Sequence, residues 1–156
     1  MDLRDKVEFP SELRRHTILT KKLAAVTNCE LTEHEVILFN QAVKAVALQL
    51  IEEGIENDDL DGLIVFFTLN GDLTLYEETT SGYGLHFGMA VHMMERIRKE
   101  KNDVFTHFVF IEEMAHHYWH ISDERKVKYK VEEIMQHMYS NFTLDYMRER
   151  WSLNGL

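Results

Sequence analysis

Cysteine, proline and positive charge are all scarce in this chain. Cys29 is the only cysteine, which excludes an intrachain disulfide and suits a reducing compartment. Pro10 is the only proline, and no repeat, low-complexity tract or internal boundary divides the sequence, so residues 1–156 read as one domain with a core of useful size. Lys and Arg number 17 against 27 Asp and Glu, a net charge of −10. That balance argues against nonspecific binding to nucleic acid or to an anionic membrane surface, both of which need clustered basic residues. A protein or peptide partner, basic by preference, is the natural expectation. No apolar run approaches the length of a membrane span, and residues 1–17 are charged throughout, unlike a secretory leader, so a cytoplasmic location is expected. What the chain does have is 45% hydrophobic and 11% aromatic content, the composition of a folded globular protein.

In chain order, residues 1–9 read as a loose polar arm. Ser11 after Pro10 can cap a first helix carrying Leu13, Ile18, Leu19, Leu23 and Val26 on one face and ending near Asn28. Arg14-Arg15-His16 with Lys21-Lys22 forms the most basic patch and reads as its solvated side. Thr32 and Glu35 make a capping box. They open a helix in which Val36, Phe39, Val43, Val46, Ala47 and Leu50 recur at helical spacing, with Gly54 as its stop. Glu56 to Gly62 has the Asp/Asn spacing of a calcium loop without the closing glutamate, and reads as a solvated turn. Leu63 to Leu69, then Asn70-Gly71, then Leu73 to Tyr76 predict a β-hairpin over about 63–77. In Leu85 to Met93 the apolar residues alternate as in a strand bearing His86 and His92, although the same letters extended to Arg98 also fit a helix. Residues 96–102 read as a charged linker, with Asp103 as the cap of the helix that follows. Ser122 or Asp123 starts another helix with Val127, Val131, Ile134, Met135 and Met138 inward, and 143–151 reads as a short terminal helix with Leu144, Met147 and Trp151 inward. The expected fold class is α+β, with helices packed on a short, mostly antiparallel sheet.

Phe108 to His120 gathers more metal-ligand and proton-transfer side chains than any other stretch. As a helix at about 100° per residue, Phe108, Ile111, Met114, Ala115, Tyr118 and Trp119 share one side. Glu112, Glu113, His116 and His120 share the other. Glu112 and His116 are four residues apart, as are His116 and His120, so either pair can meet over one point. The outer pair, about 12 Å apart along the axis, cannot share an ion comfortably. A metal here needs a further ligand from elsewhere. Glu133 and His137 form a second i,i+4 pair, of a kind that usually lies on the solvent face.

The run Glu112-Glu113-Met114-Ala115-His116 resembles the zincin signature H-E-x-x-H, in which two helical histidines hold zinc and the intervening glutamate activates water. Residues 107–120, followed by Asp123-Glu124-Arg125-Lys126, are similar to the motif region of the ImmA/IrrE group of small zincin metallopeptidases. The resemblance spans roughly residues 105–136. It implies a small zincin-like domain and a metal-dependent peptidase or amide hydrolase that acts on a protein partner, with Glu113 as the base. Two ligand positions depart from the family. Glu112 stands where the first histidine is expected, and Lys126 where the third ligand is expected. A carboxylate reaches zinc at about 2.0–2.2 Å, so Glu112 and His116 can be ligands, with Glu124 completing the set and His120 in reserve. Zinc is the expected ion, and an oxygen-richer set makes manganese or iron more competitive. The alternative is that Glu112 and Lys126 form an ion pair in place of any metal. The chain would then be a catalytically inactive scaffold serving as a protein-interaction or regulatory module.

Overall fold

Leu63-Ile64-Val65-Phe66-Phe67-Thr68 is apolar on both faces, and a strand of that kind has to be covered on both. In the computed structural model, which describes residues 2–12, 16–76 and 88–151, it is the middle strand of a three-stranded parallel sheet. In chain order the elements are β1 (Asp2–Leu3), β2 (Leu23–Thr27), α1 (Glu33–Glu52), β3 (Leu63–Thr68), β4 (Leu75–Tyr76) and β5 (Gly88–Met93), followed by α2 (Met94–Glu100), α3 (Asp103–Tyr118), α4 (Glu124–Met135) and α5 (Leu144–Trp151). The sheet runs β2-β3-β5, with Leu63 opposite both Leu23 and Gly88. The class is α+β as expected, but the sheet is parallel rather than mostly antiparallel.

The hairpin over 63–77 does not form. The Asn70-Gly71 turn is there: Gly71 takes φ 96, its amide donates to Thr68 Oγ1, and the Asp72 amide donates to Asn70 Oδ1. Both edges of β3 are already taken by β2 and β5, so the returning β4 cannot pair with it. β4 pairs antiparallel with β1 instead. That pairing, the buried Leu3 and the bridge from Val7 to Thr27 also tie down residues 2–7, which had been expected to be loose.

The first expected helix is also replaced. Leu19 and Leu23 are both buried, which explains their helix-like spacing, but Lys21 between them takes a left-handed φ of 62 and breaks any helix. What remains is one 3-10 turn, Thr17–Leu19, leading into β2. Residues Leu13, Arg14 and Arg15 of that reading lie outside the described residues, as do 77–87 with His86, the Trp151 side chain and 152–156.

α1 follows its sequence pattern closely. Thr32 and Glu35 form the reciprocal capping box, and Val36, Phe39, Val43, Val46, Ala47 and Leu50 are all buried. Arg98, in a segment expected to be linker but folded as α2, donates to both Glu35 oxygens and to the Glu30 carbonyl, at 2.7–2.9 Å. The 85–93 ambiguity resolves in sequence: Gly88–Met93 is strand, and the helix begins at Met94. The core meets at three phenylalanines, with edge-to-face contacts between Phe39 of α1, Phe67 of β3 and Phe110 of α3 at centroid distances of 4.9–5.7 Å.

His92 is built into this core. It stacks near Phe67 and Phe110, is 2% exposed, and its Nε2 has no hydrogen-bond partner. Burial pushes its pKa down from 6.5 to about 4. As pH falls below about 6.5 the unfolded chain takes up this proton, whereas the folded chain does so only near 4, so stability declines across that window. Chemical denaturation at pH 7 and pH 5 should show wild type losing about 2 kcal/mol through this group. The loss should shrink by that amount in His92→Leu.

Candidate metal centre

α3 starts at an Asn102 cap, whose side chain accepts from the Phe105 amide, so Asp103 is its first residue rather than its cap. Phe108, Ile111, Met114, Ala115 and Tyr118 are buried as their spacing demands. That fixes the rotation of the helix and turns Glu112, Glu113 and His116 to the other side, half-buried. The helix ends at Tyr118, held there by two side chains that pack rather than bind: the Tyr118 hydroxyl donates to the Lys22 carbonyl (3.0 Å), and Trp119 Nε1 donates to Glu53 (2.7 Å). Beyond it, His120 takes φ 51, the left-handed conformation that closes a helix. The Ile121 amide returns to the His116 carbonyl at 3.1 Å.

α4 is capped by Asp123, whose carboxylate accepts from the Arg125 and Lys126 amides. Val127, Val131, Ile134 and Met135 are its buried side. Glu124 and Lys128, four residues apart, lie along the flank facing α3. The two helices run in opposite senses there, so two contacts stack like rungs. Glu124 Oε1 is 3.6 Å from His116 Nε2, and one turn away the Lys128 ammonium contacts Glu112.

Glu112, His116 and Glu124 each offer a ligand atom, and these atoms all lie within 4.8 Å of one another. One imidazole and two carboxylates at this spacing could hold a metal ion. His116 Nδ1–H donates to the Ile121 carbonyl at 2.5 Å, so that in the neutral ring the free lone pair is on Nε2, the atom 3.6 Å from Glu124. Metal-binding histidines are characteristically held this way by their second nitrogen.

Glu113 lies beside this set, next to a cleft of about 420 Å³ walled by Gly88 and Met89 of β5, by Glu113 and His116 of α3, and by the turn from His120 to Ser122. Burial pushes the Glu113 pKa up, His116 offsets this, and the negative Glu124 adds to the rise. A larger hollow of about 630 Å³, beside Ser11, His16 and Lys44, contains none of these groups.

The sequence-derived set thus divides. Glu112, His116 and Glu124 come together, with Glu113 adjacent. His120 lines the cleft from the turn and is not in helical register with His116. Lys126 is exposed and does not meet Glu112; Lys128 does. The sign of the pair was expected and its position was off by two, because 126 points away from α3 while 128 shares the Glu124 flank. That i,i+4 relation to Glu124 was the signal that could have found it. Burial alone would take the Lys128 ammonium down to about 8, and the carboxylate in contact favours the charged form against it. Glu133 and His137 go separate ways, Glu133 to Lys130 and His137 to Gln49 (2.8 Å) and Glu52 (3.5 Å). A second histidine was missed as a core residue. His107 is 3% exposed, its Nε2–H donating to Gln41 (3.0 Å) and its Nδ1 accepting from the Tyr139 hydroxyl (2.8 Å).

No protein-family model, curated protein or solved structure matches the chain. Among the described residues no helix is long and apolar enough to cross a membrane.

One position sets the width of the cleft. A Cβ on Gly88 would fall 2.2 Å from His117 Nδ1, and His117 is itself held by an Nε2–H bond to the Asp61 carbonyl (3.2 Å). Gly88→Val should therefore force β5 and α3 apart and cost about 1–3 kcal/mol. Denaturant titration should show a lowered midpoint; an unchanged midpoint would mean that this wall is soft.

Proposed function

We propose that the chain is a zincin-like metal-dependent hydrolase that cleaves a peptide or amide bond in a protein partner. The observation that carries this is the convergence of Glu112, His116 and Glu124 on one point, with His116 Nδ1–H already bound to the Ile121 carbonyl. These three residues would hold the ion. Zinc is the first choice, with manganese or iron favoured more than at a histidine-rich site because two of the three ligands are carboxylates. The ion supplies Lewis acidity, polarising a carbonyl and acidifying water.

Glu113 performs the proton transfer. It sits one residue after Glu112 and three before His116, the register in which a helical carboxylate flanks two ligands without joining them. Its half-buried position and raised pKa suit a group that takes a proton onto a carboxylate oxygen from the attacking water and returns it to the leaving amine. The cleft beside it opens along Gly88 and Met89, so the scissile bond approaches from the side of β5. The charge of −10 favours a basic substrate.

A second reading rests on the Lys128–Glu112 contact and on Glu124, which is 74% exposed at its side chain. With an ammonium beside one ligand and another ligand in solvent, the same scaffold could bind a partner in the cleft without chemistry.

Elemental analysis separates the two. The hydrolase reading expects about one divalent ion per chain, lost in Glu112→Ala and in His116→Ala. Glu113→Gln should keep the metal and lower peptide hydrolysis by at least about 100-fold. A stable protein that takes up no metal, yet loses partner binding on substitution of Glu113, would establish the scaffold reading instead.

A further inference from the structure

We infer that Lys128 is a positioning residue for the metal seat, holding the Glu112 carboxylate from behind so that it faces His116 and Glu124. The inference rests on the proposed metal site and concerns how this chain keeps that site assembled.

The location of the ammonium is the central observation. Lys128 Nζ contacts Glu112 Oε1 and lies 5.0 Å from the centre of the Phe108 ring. Phe108 is one helical turn before Glu112 and His116 is one turn after it, so the ammonium sits on the side of Glu112 remote from His116. Among the described residues it makes no ion pair with Glu124, whose partner is His116. A lysine that had taken over the place of a metal would lie among all three ligands. Lys128 instead contacts one member of the set, Glu112, and a carboxylate that accepts from an ammonium keeps further lone pairs with which to meet a cation.

The charges require such a residue. Glu112, Glu113 and Glu124 bring three carboxylates around one imidazole, and two of them are half-buried on adjacent helical positions. Before an ion arrives, their mutual repulsion would drive the freest rotamers outward. One ammonium, itself only 15% exposed and braced on an aromatic ring, offsets that repulsion and restricts Glu112 to the rotamer that binds. Ligands oriented by outer hydrogen-bonding partners are typically weakened about 10–100-fold when the partner is removed.

The test uses the full chain as wild type, Lys128→Met and Lys128→Arg. Metal-free protein is titrated with Co2+ by calorimetry, and the visible absorption of the bound ion is recorded. Lys128→Met, whose side chain can still cover Phe108, should bind Co2+ about 10–100-fold more weakly and with an altered visible spectrum. Lys128→Arg should restore affinity to within a few-fold of wild type. If the Met variant melts at much lower temperature, Lys128→Gln is read in its place by the same titration. Equal or tighter binding in the uncharged variant would overturn the inference, because the ammonium would then be a bystander or a competitor. A wild type that binds no Co2+ would remove the metal reading itself, and this inference with it, whereas wild-type binding unaltered by both uncharged substitutions would remove this inference alone.

Discussion

The packing of Phe39, Phe67 and Phe110 against one another decides how the rest of the chain is arranged. Each edge-to-face pair adds about 1 kcal/mol beyond burial, which is small singly and appreciable in three against a net stability of about 5–15 kcal/mol. Its larger effect is geometric. Once Phe110 is held between α1 and β3, the rotation of α3 about its axis is fixed, and Glu112, Glu113 and His116 cannot face the core. The same contact places His92, from the neighbouring strand, in a dry interior where only its neutral form is tolerated.

The parts of this architecture that were legible in the sequence are those set by local chemistry. The Thr32–Glu35 box and the spacing from Val36 to Leu50 determine α1 without outside help. The faces of α3 and α4 follow from periodicity, and with them the meeting of Glu112, His116 and Glu124. The hairpin failed for a nonlocal reason. Asn70-Gly71 does turn the chain, but whether the returning segment can pair with β3 depends on who occupies its edges, and β2 and β5 come from distant stretches on either side, Leu23–Thr27 and Gly88–Met93. The first helix is interrupted between Leu19 and Leu23, which have helical spacing, by the non-helical backbone of Thr20 and the left-handed Lys21, and from Leu23 the chain is drawn into pairing with β3.

The site shows the same division at finer scale. The expectation that Glu112 pairs with Lys126 in place of a metal named the wrong lysine, since the ammonium in contact with Glu112 is that of Lys128. Aligning letters with a family motif selects Lys126, whereas the geometry of two antiparallel helices selects Lys128, one turn along from Glu124. A side chain's neighbour across a helix pair is set by the flank it shares, and position in a motif is only a proxy for that.

The turn after α3 has an implication for how the chain tolerates change. Ile121 meets His116 twice through its main chain, its amide on the His116 carbonyl and its carbonyl on the imidazole. Neither contact uses the isoleucine side chain. Any residue with a backbone N–H at 121 can make both bonds, while the isoleucine side chain serves separately, packed against the core. A proline there would lack the amide, and an insertion between 117 and 121 would carry the carbonyl out of reach. The aim of the imidazole is inherited from the path of the backbone, and is protected from substitution in a way that the carboxylates around it are not.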